Sequence, residues 1–220
     1  PYVSRILLPE GTGRVSFATS LVSYFLMLSQ LGIPTYGIRA CAKVRDDRRK
    51  LSRVVHELMA INLVMSLLSY LALGIFVFAI PRLRAESSLI FIISLTILLN
   101  AVGMEWLYKA LEQYTYITIR SVIFKAIAVV AMLLLIRQQS DYVVYGALTI
   151  LAASASNVCN FVHAHTYIDL FPEEKYNYRQ HMKPILVFFA MSCATVIYTN
   201  LDTVMLGLMK SNVDVGYYNA

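Results

Sequence analysis

The sequence predicts an all-α fold, a polytopic bundle of about six transmembrane helices, and three observations predict it. Val15 to Ile38, Leu58 to Pro81, Ser87 to Met104, Tyr142 to Ile168 and Pro184 to Leu201 contain no Asp, Glu, Lys or Arg. Each approaches the roughly 20 residues that a helix needs to cross a bilayer. Composition agrees, with 58% hydrophobic and 15% charged residues and a mean hydropathy of +0.62, where soluble domains carry about 25% charged residues. Finally, the basic residues concentrate in alternate joints between the apolar segments, as short cytoplasmic loops do.

Taken in order, the chain opens on Pro1-Tyr2-Val3 and closes on Tyr218-Asn219-Ala220, and both ends read as cuts through a longer protein. The residues before Arg5 read as the exit of an earlier helix, followed by a polar loop through Pro9-Glu10-Gly11-Thr12-Gly13. In the first full span, Pro34 and Gly37 predict a kink or an early helix end, because proline lacks a backbone donor and crowds the preceding turn. The apolar run Ala126 to Ile136 is too short to cross alone. A helix from about Ile117 to Ile136 reaches the ~30 Å required at 1.5 Å per residue, and draws Arg120 and Lys125 into it.

Orientation follows from charge. The joint after the first full span holds Arg39, Lys43, Arg45, Arg48, Arg49, Lys50 and Arg53, which places it on the cytoplasmic side. Alternation then puts Lys109, Arg120, Lys125, Lys175, Arg179 and Lys183 inside, and Arg5, Arg14, Arg82, Arg84, Arg137 and Lys210 outside. The net charge of +6 therefore reports topology, and nucleic acid is excluded as a partner. Trp106, Tyr108, Tyr114 and Tyr116 cluster at the inner end of the Ser87 span, where aromatic side chains anchor a helix at the interface or stack on sugar.

Ionisable groups inside a bilayer are expensive, so they are the candidate functional residues. Arg120 and Lys125 lie near the inner end of their helix, either snorkelling to the surface or lining a cavity. At 100° per residue they sit about 140° apart and do not share one wall. Asp202, two residues after Asn200, has no long stem and is either hydrated at the outer interface or a cavity carboxylate that titrates, binds a cation or pairs with an arginine. Asn62, Asn100, Asn157 and Asn160 are placed to hydrogen-bond between helices.

Other chemistry finds no support. His56, His163, His165 and His181 have no ligand-spaced partner, and Cys41, Cys159 and Cys193 show no metal pattern, so neither metal nor cofactor is expected. No Gly-x-Ser-x-Gly, phosphate loop or His-Glu-x-x-His occurs. A membrane enzyme would need a large polar loop or paired acids near one interface, and the longest inside joint, from Asp169 to Lys183, offers only Asp169, Glu173 and Glu174.

Several peptides carry a resemblance: Pro1-Tyr-Val-Ser-Arg5, Pro9-Glu-Gly-Thr-Gly13 followed by Ser16-Phe-Ala-Thr-Ser20, Tyr36-Gly-Ile-Arg39, Trp106-Leu-Tyr-Lys-Ala-Leu-Glu112, Tyr116-Ile-Thr-Ile-Arg120, Tyr198-Thr-Asn-Leu-Asp202-Thr-Val-Met-Leu-Gly207 and Val215-Gly-Tyr-Tyr-Asn219. In order and spacing they resemble the Wzx-type polysaccharide flippases of the MATE-like MOP exporter superfamily, departing at Lys109-Ala110, where related sequences often carry Gln-Gly. The resemblance implies a MATE-like half-bundle: residues 1–170 as a first bundle lacking most of its first helix, 171–183 as a cytoplasmic linker, and 184–220 as the first helix of a second bundle with its outer loop. It also implies transport of undecaprenyl-diphosphate-linked oligosaccharide repeat units across the bacterial cytoplasmic membrane, alongside the polysaccharide polymerase machinery. Arg5, Arg120 and Lys125 would then form a cationic cavity for the diphosphate, with Asp202 and Asn200 as coupling or polar cavity groups. Rival expectations are a multidrug exporter or peptidoglycan-precursor flippase of the same superfamily, a membrane-embedded glycosyltransferase or polymerase, and a non-transporting scaffold.

Overall fold

The computed structural model describes residues 2–169 and 176–219, which are almost entirely helical and contain no strand. Glu173, Glu174 and Lys175, which figured in the sequence reading, lie outside the described residues, as do most positions of the expected linker. Six apolar segments run along the bundle. They are α1 (Tyr2–Gln30) continued by α2 (Ile33–Ala42), α3 (Arg48–Ala79), α5 (Ser87–Gly103), α7 (Tyr114–Leu135), α8 (Tyr142–Ile150) continued by α9 (Asn157–His163), and α10 (Arg179–Met209). Five of these are long and apolar enough to cross a membrane, and α5 is a shorter apolar helix. Short helices α4 (Pro81–Ala85), α6 (Glu105–Ala110) and α11 (Asn212–Tyr218) complete the set.

The first segment departs from expectation. Pro9 to Gly13 is not a loop; it is helical and continuous with the span that follows. The break falls one residue earlier, at Leu8 (φ 56°, ψ 176°), because a residue before proline is pushed out of the α region. Pro9 then starts the next stretch at a position where its missing N–H costs nothing. The kink predicted near Pro34 is present. Leu31 and Gly32 are both left-handed (φ 46° and 75°), and Pro34 sits in the first turn of α2.

Two other segments are more ordered than the sequence suggested. Arg179 to Lys183, assigned to the linker, form the opening of α10, and the expected outer loop after residue 210 folds into α11. There Ser211 accepts from the Asp214 backbone N–H while the Asp214 carboxylate accepts from that of Ser211, a reciprocal cap. Between α8 and α9, Leu151–Ala155 widens into a π-helical turn, so the Tyr142 span is one helix with a bulge.

Glycine sets the closest helix crossings. A Cβ on Gly216 would lie 1.9 Å from the Pro9 carbonyl oxygen, and one on Gly13 would lie 1.8 Å from that of Asn212. α11 therefore lies backbone to backbone on the start of α1. Farther along, Gly207 of α10 admits the buried Phe17 ring, and Gly32 faces the backbone of Phe188 and Phe189.

The ion pairs described next gather at two ends. At one, here called the basic end, Arg45 pairs with Glu112 and Lys109 with Glu105. Arg48 pairs with Asp169 and also donates to the carbonyls of His165 and Thr166, so it closes off the chain after α9. At the opposite end Arg14 pairs with Glu10 (2.8 Å) and Glu86 (3.2 Å) and stacks on Tyr142. Burial pushes the Glu86 carboxyl above its ordinary value, a shift that Arg14 opposes. Arg82 reaches the Lys210 carbonyl at the same end. The segments that alternation assigned to one side thus meet at one end. With the basic end cytoplasmic, Asp46→Cys on a background of alanines for Cys41, Cys159 and Cys193 should react with an impermeant maleimide only after the cytoplasmic face is opened. Ala85→Cys should react in intact cells, and the reverse accessibility at both positions would overturn the orientation.

Candidate transport cavity

A cavity of about 620 Å³ lies between α1, α5 and α8 and reaches from Ser4 and Asn219 at the opposite end to Leu26 near mid-bundle. Thr12, Ser16, Thr19, Ser20 and Ser23 line it from α1. Their spacing confines them to about 100° of arc, so between residues 12 and 23 one strip of the helix carries hydroxyls, flanked by Val15 and Leu26. Thr96 of α5, with Tyr145 and Thr149 of α8, adds hydroxyls from the facing walls. Thr12, Ser23 and Thr149 donate to carbonyls of their own helices, which leaves their oxygens as acceptors toward the cavity. Among the described residues, no charged side chain lines this cavity. Such a wall can form many weak, exchangeable hydrogen bonds and holds no ion tightly.

A polar seam continues from Thr96 toward the basic end. Asn100 donates to the Thr96 carbonyl and to Ser154, and accepts from Asn157. The π-helical turn carries Ser154 into this seam. Asn160 donates to the Gly103 carbonyl (2.7 Å), Tyr108 donates to the Asn160 carbonyl (2.6 Å), and Asn62 donates to the Ala101 carbonyl. The four asparagines thus bond across helices, as their positions suggested. The side-chain oxygens of Asn62, Asn157 and Asn160 remain buried without a partner among the described residues.

A second cavity of about 470 Å³ lies between the α1–α2 break and α10 and shares Ser23 and Leu26 with the first. Asn200 lines it, along with Gln30, Thr35, Ser192 and Thr195. Asp202 points elsewhere. It is exposed and accepts from the Tyr218 hydroxyl at 2.9 Å.

The candidate cations do not converge on one site. Arg120 is only 6% exposed, 3.7 Å from the Glu105 carboxylate and 5.8 Å from the Tyr116 ring centre. Its Nε and one terminal nitrogen have no partner among the described residues. Around it Tyr108, Tyr116, His163 and Tyr167 form an aromatic cluster with neighbouring centroids 4.9 to 6.1 Å apart. Lys125 is exposed on another face of α7, as the helical angle required. Arg5 is exposed at the far end, on the segment whose Tyr2 hydroxyl donates to the carbonyls of Leu133 and Ile136. Those carbonyls lie about 20 Å along α7 from Arg120 at 1.5 Å per residue.

One cluster was missed in the sequence. Glu57 of α3 and His181 of α10 are 0% and 3% exposed and 2.6 Å apart. The same carboxylate accepts from Arg53 Nε (3.1 Å), Gln180 Nε2 (2.9 Å) and the Asn177 backbone N–H. His181 Nδ1 meets the Tyr36 hydroxyl of α2 at 2.8 Å. The spacing of Arg53 and Glu57 marks an exposed helix pair, and nothing local announces partners more than a hundred residues downstream. The hydroxyl face of α1 was legible in its spacing but hidden by reading Pro9 to Gly13 as a loop.

No curated protein and no solved structure matches the chain. A family profile described as "Polysaccharide biosynthesis protein" matches residues 1–220. The apolar spans, the buried polar seam and this match over the whole chain lead to one conclusion: the protein is a multi-pass membrane protein that belongs to the polysaccharide biosynthesis protein family.

Proposed function

We propose that this chain is part of a flippase that moves undecaprenyl-diphosphate-linked oligosaccharide repeat units from the inner to the outer leaflet of the cytoplasmic membrane. The observation that carries this reading is the uncharged, hydroxyl-lined cavity that opens at one end of the bundle. Glycans are recognised by networks of hydrogen bonds whose donors and acceptors lie on both sides, and serine and threonine hydroxyls serve as either. A catalytic site for glycosyl transfer would instead need an acid or base at the reacting centre, and among the described residues Tyr145 is the one ionisable side chain that borders this cavity. Asn200, in the adjoining cavity, extends the polar wall, and Asp202, exposed on the same helix and bonded to the Tyr218 hydroxyl, is the candidate coupling carboxylate.

Within this reading the cations act in sequence. Arg120 at the basic end and Arg5 at the opposite end suit a substrate that arrives at one end and leaves at the other, since a guanidinium can hold phosphate oxygens in a bidentate pair. Lys125 adds positive charge near the entry side.

Complementation of a flippase-null strain tests the reading. A variant combining Ser16→Ala, Thr19→Val and Thr96→Val keeps the shape of the wall and removes three hydroxyls, so it should lose surface polysaccharide while its membrane abundance is unchanged. Arg120→Ala and Arg5→Ala should each abolish complementation at normal expression, whereas Arg49→Ala should not. Arg48 is unsuitable as a control because it anchors the chain after α9. Wild-type polysaccharide levels in the triple hydroxyl variant would refute the glycan-lined cavity.

A further inference from the structure

A third cavity, of about 410 Å³, lies at the basic end between α2 and α10. Tyr36, Gln180 and His181 border it, as do Arg39 and Lys43, which join no ion pair among the described residues. Phe188 lines both this cavity and the second one, of about 470 Å³. The second in turn shares Ser23 and Leu26 with the hydroxyl-lined cavity. The three therefore follow one another from the basic end toward the opposite end, and one thin layer of side chains divides the third from the second. In that layer the Tyr36 ring meets His181 edge-on, with centroids 5.6 Å apart, and lies against Phe188 at 6.3 Å. Glu57 of α3 fastens the layer from behind: its carboxylate holds His181 Nε2 at 2.6 Å, and the Tyr36 hydroxyl meets Nδ1 of the same ring at 2.8 Å.

From this we infer that the layer of Tyr36, His181 and Phe188, latched by Glu57, is a gate between the basic end and the transport cavities, and that it is shut in this structure. The inference rests on the flippase reading and adds to it the place where the path is closed. The rings supply bulk that blocks the passage, and the Glu57–His181–Tyr36 chain of hydrogen bonds ties three helices, α3, α10 and α2, across it. Such bonds are directional and fail as a set once α10 parts from α2 and α3. Toward the opposite end α10 is held by shape instead, where Gly207 packs on the Phe17 ring and α11 lies backbone to backbone on α1. The polar end is therefore the one built to separate. Opening it joins the third cavity to the second, and through Ser23 and Leu26 to the hydroxyl-lined wall.

The test labels a cysteine placed just beyond the layer, at Ser192 in the wall of the second cavity. In the full-length protein, with alanine at Cys41, Cys159 and Cys193, an impermeant maleimide should reach Ser192→Cys from the face opposite the basic end. From the basic-end face, presented by inverted vesicles, the reaction should be about tenfold slower. Glu57→Gln weakens the charge-assisted bonds of the latch, and Phe188→Ala removes the ring common to both cavities without touching those bonds. Each should speed the reaction at the basic-end face about tenfold, as a shift of the shut population does, and leave the rate at the other face unchanged. The gate is overturned if the parent protein reacts equally fast from both faces, or if neither variant speeds the reaction at the basic-end face. It is also overturned if both faces speed up alike, which is a general loosening of the bundle. Labelling needs no substrate, so it judges the gate alone. Failure of the wild type to complement a flippase-null strain removes the flippase reading itself and leaves the labelling result standing.

Discussion

Glu57→Ala should release the start of α10 from α2 and α3 and lower stability by about 3 to 5 kcal/mol, the usual cost of removing one partner from a buried ion pair. The carboxylate is fully buried and collects four donors: Arg53 Nε, Gln180 Nε2, His181 Nε2 and the Asn177 backbone N–H. The bonds to His181 survive a change in its charge. A neutral ring donates from Nε2 to Glu57 and accepts from Tyr36 at Nδ1, whereas an imidazolium donates from both nitrogens. Loss of the carboxylate breaks all four contacts together and removes the acceptor of the buried His181 ring. Thermal and denaturant unfolding in detergent would measure the effect. A double-mutant cycle with His181→Ala should show a coupling of about 1.5 to 3 kcal/mol, the range for hydrogen bonds to charged groups. Additive costs in that cycle would show that the pair does not fasten α10.

The second large effect is expected at Gly216. Gly216→Ala should detach α11 from α1 and cost about 3 kcal/mol or more, the upper range for overpacking, because the added Cβ would lie 1.9 Å from the Pro9 carbonyl oxygen and 2.5 Å from its carbon. Both are backbone atoms, so no rotamer change makes room. Gly13→Ala should behave similarly, with Asn212 backbone in the way. Gly74 provides the control. A Cβ there meets nothing within 4 Å, and glycine within a helix is about 0.5 to 1 kcal/mol worse than alanine, so Gly74→Ala should be neutral or stabilising. Unfolding midpoints and expressed yield of the three variants decide the matter. If Gly216→Ala unfolds like Gly74→Ala, the helices are not in backbone contact.

Positions along the chain were read more successfully than partners across it. The six apolar segments were located from composition because the cost of unpaired backbone groups in lipid forces each long apolar run into a helix. The kink near Pro34 and the separate faces of Arg120 and Lys125 followed from covalent geometry and helical periodicity, both local properties. Pro9 to Gly13 misled because glycine and proline together signal a turn in water, yet here proline opens a helix and Gly13 is kept small for α11. That requirement comes from residue 212, about two hundred positions away.

The sequence by itself determined the helical class, the number of apolar spans and the grouping of charged segments into two sets, since each depends on transfer energy and on neighbours within a few turns. Only the tertiary structure decided which side chains meet. It placed five α1 hydroxyls against Thr96 and Thr149 to form one cavity and left Arg5 and Arg120 at different ends. It also paired Glu57 with His181 and left Arg39 and Lys43 without a carboxylate among the described residues. These outcomes depend on the angles and depths at which helices cross. The crossings are set by close packing at Gly13, Gly32, Gly207 and Gly216, where contact between distant segments, rather than local preference, fixes the geometry.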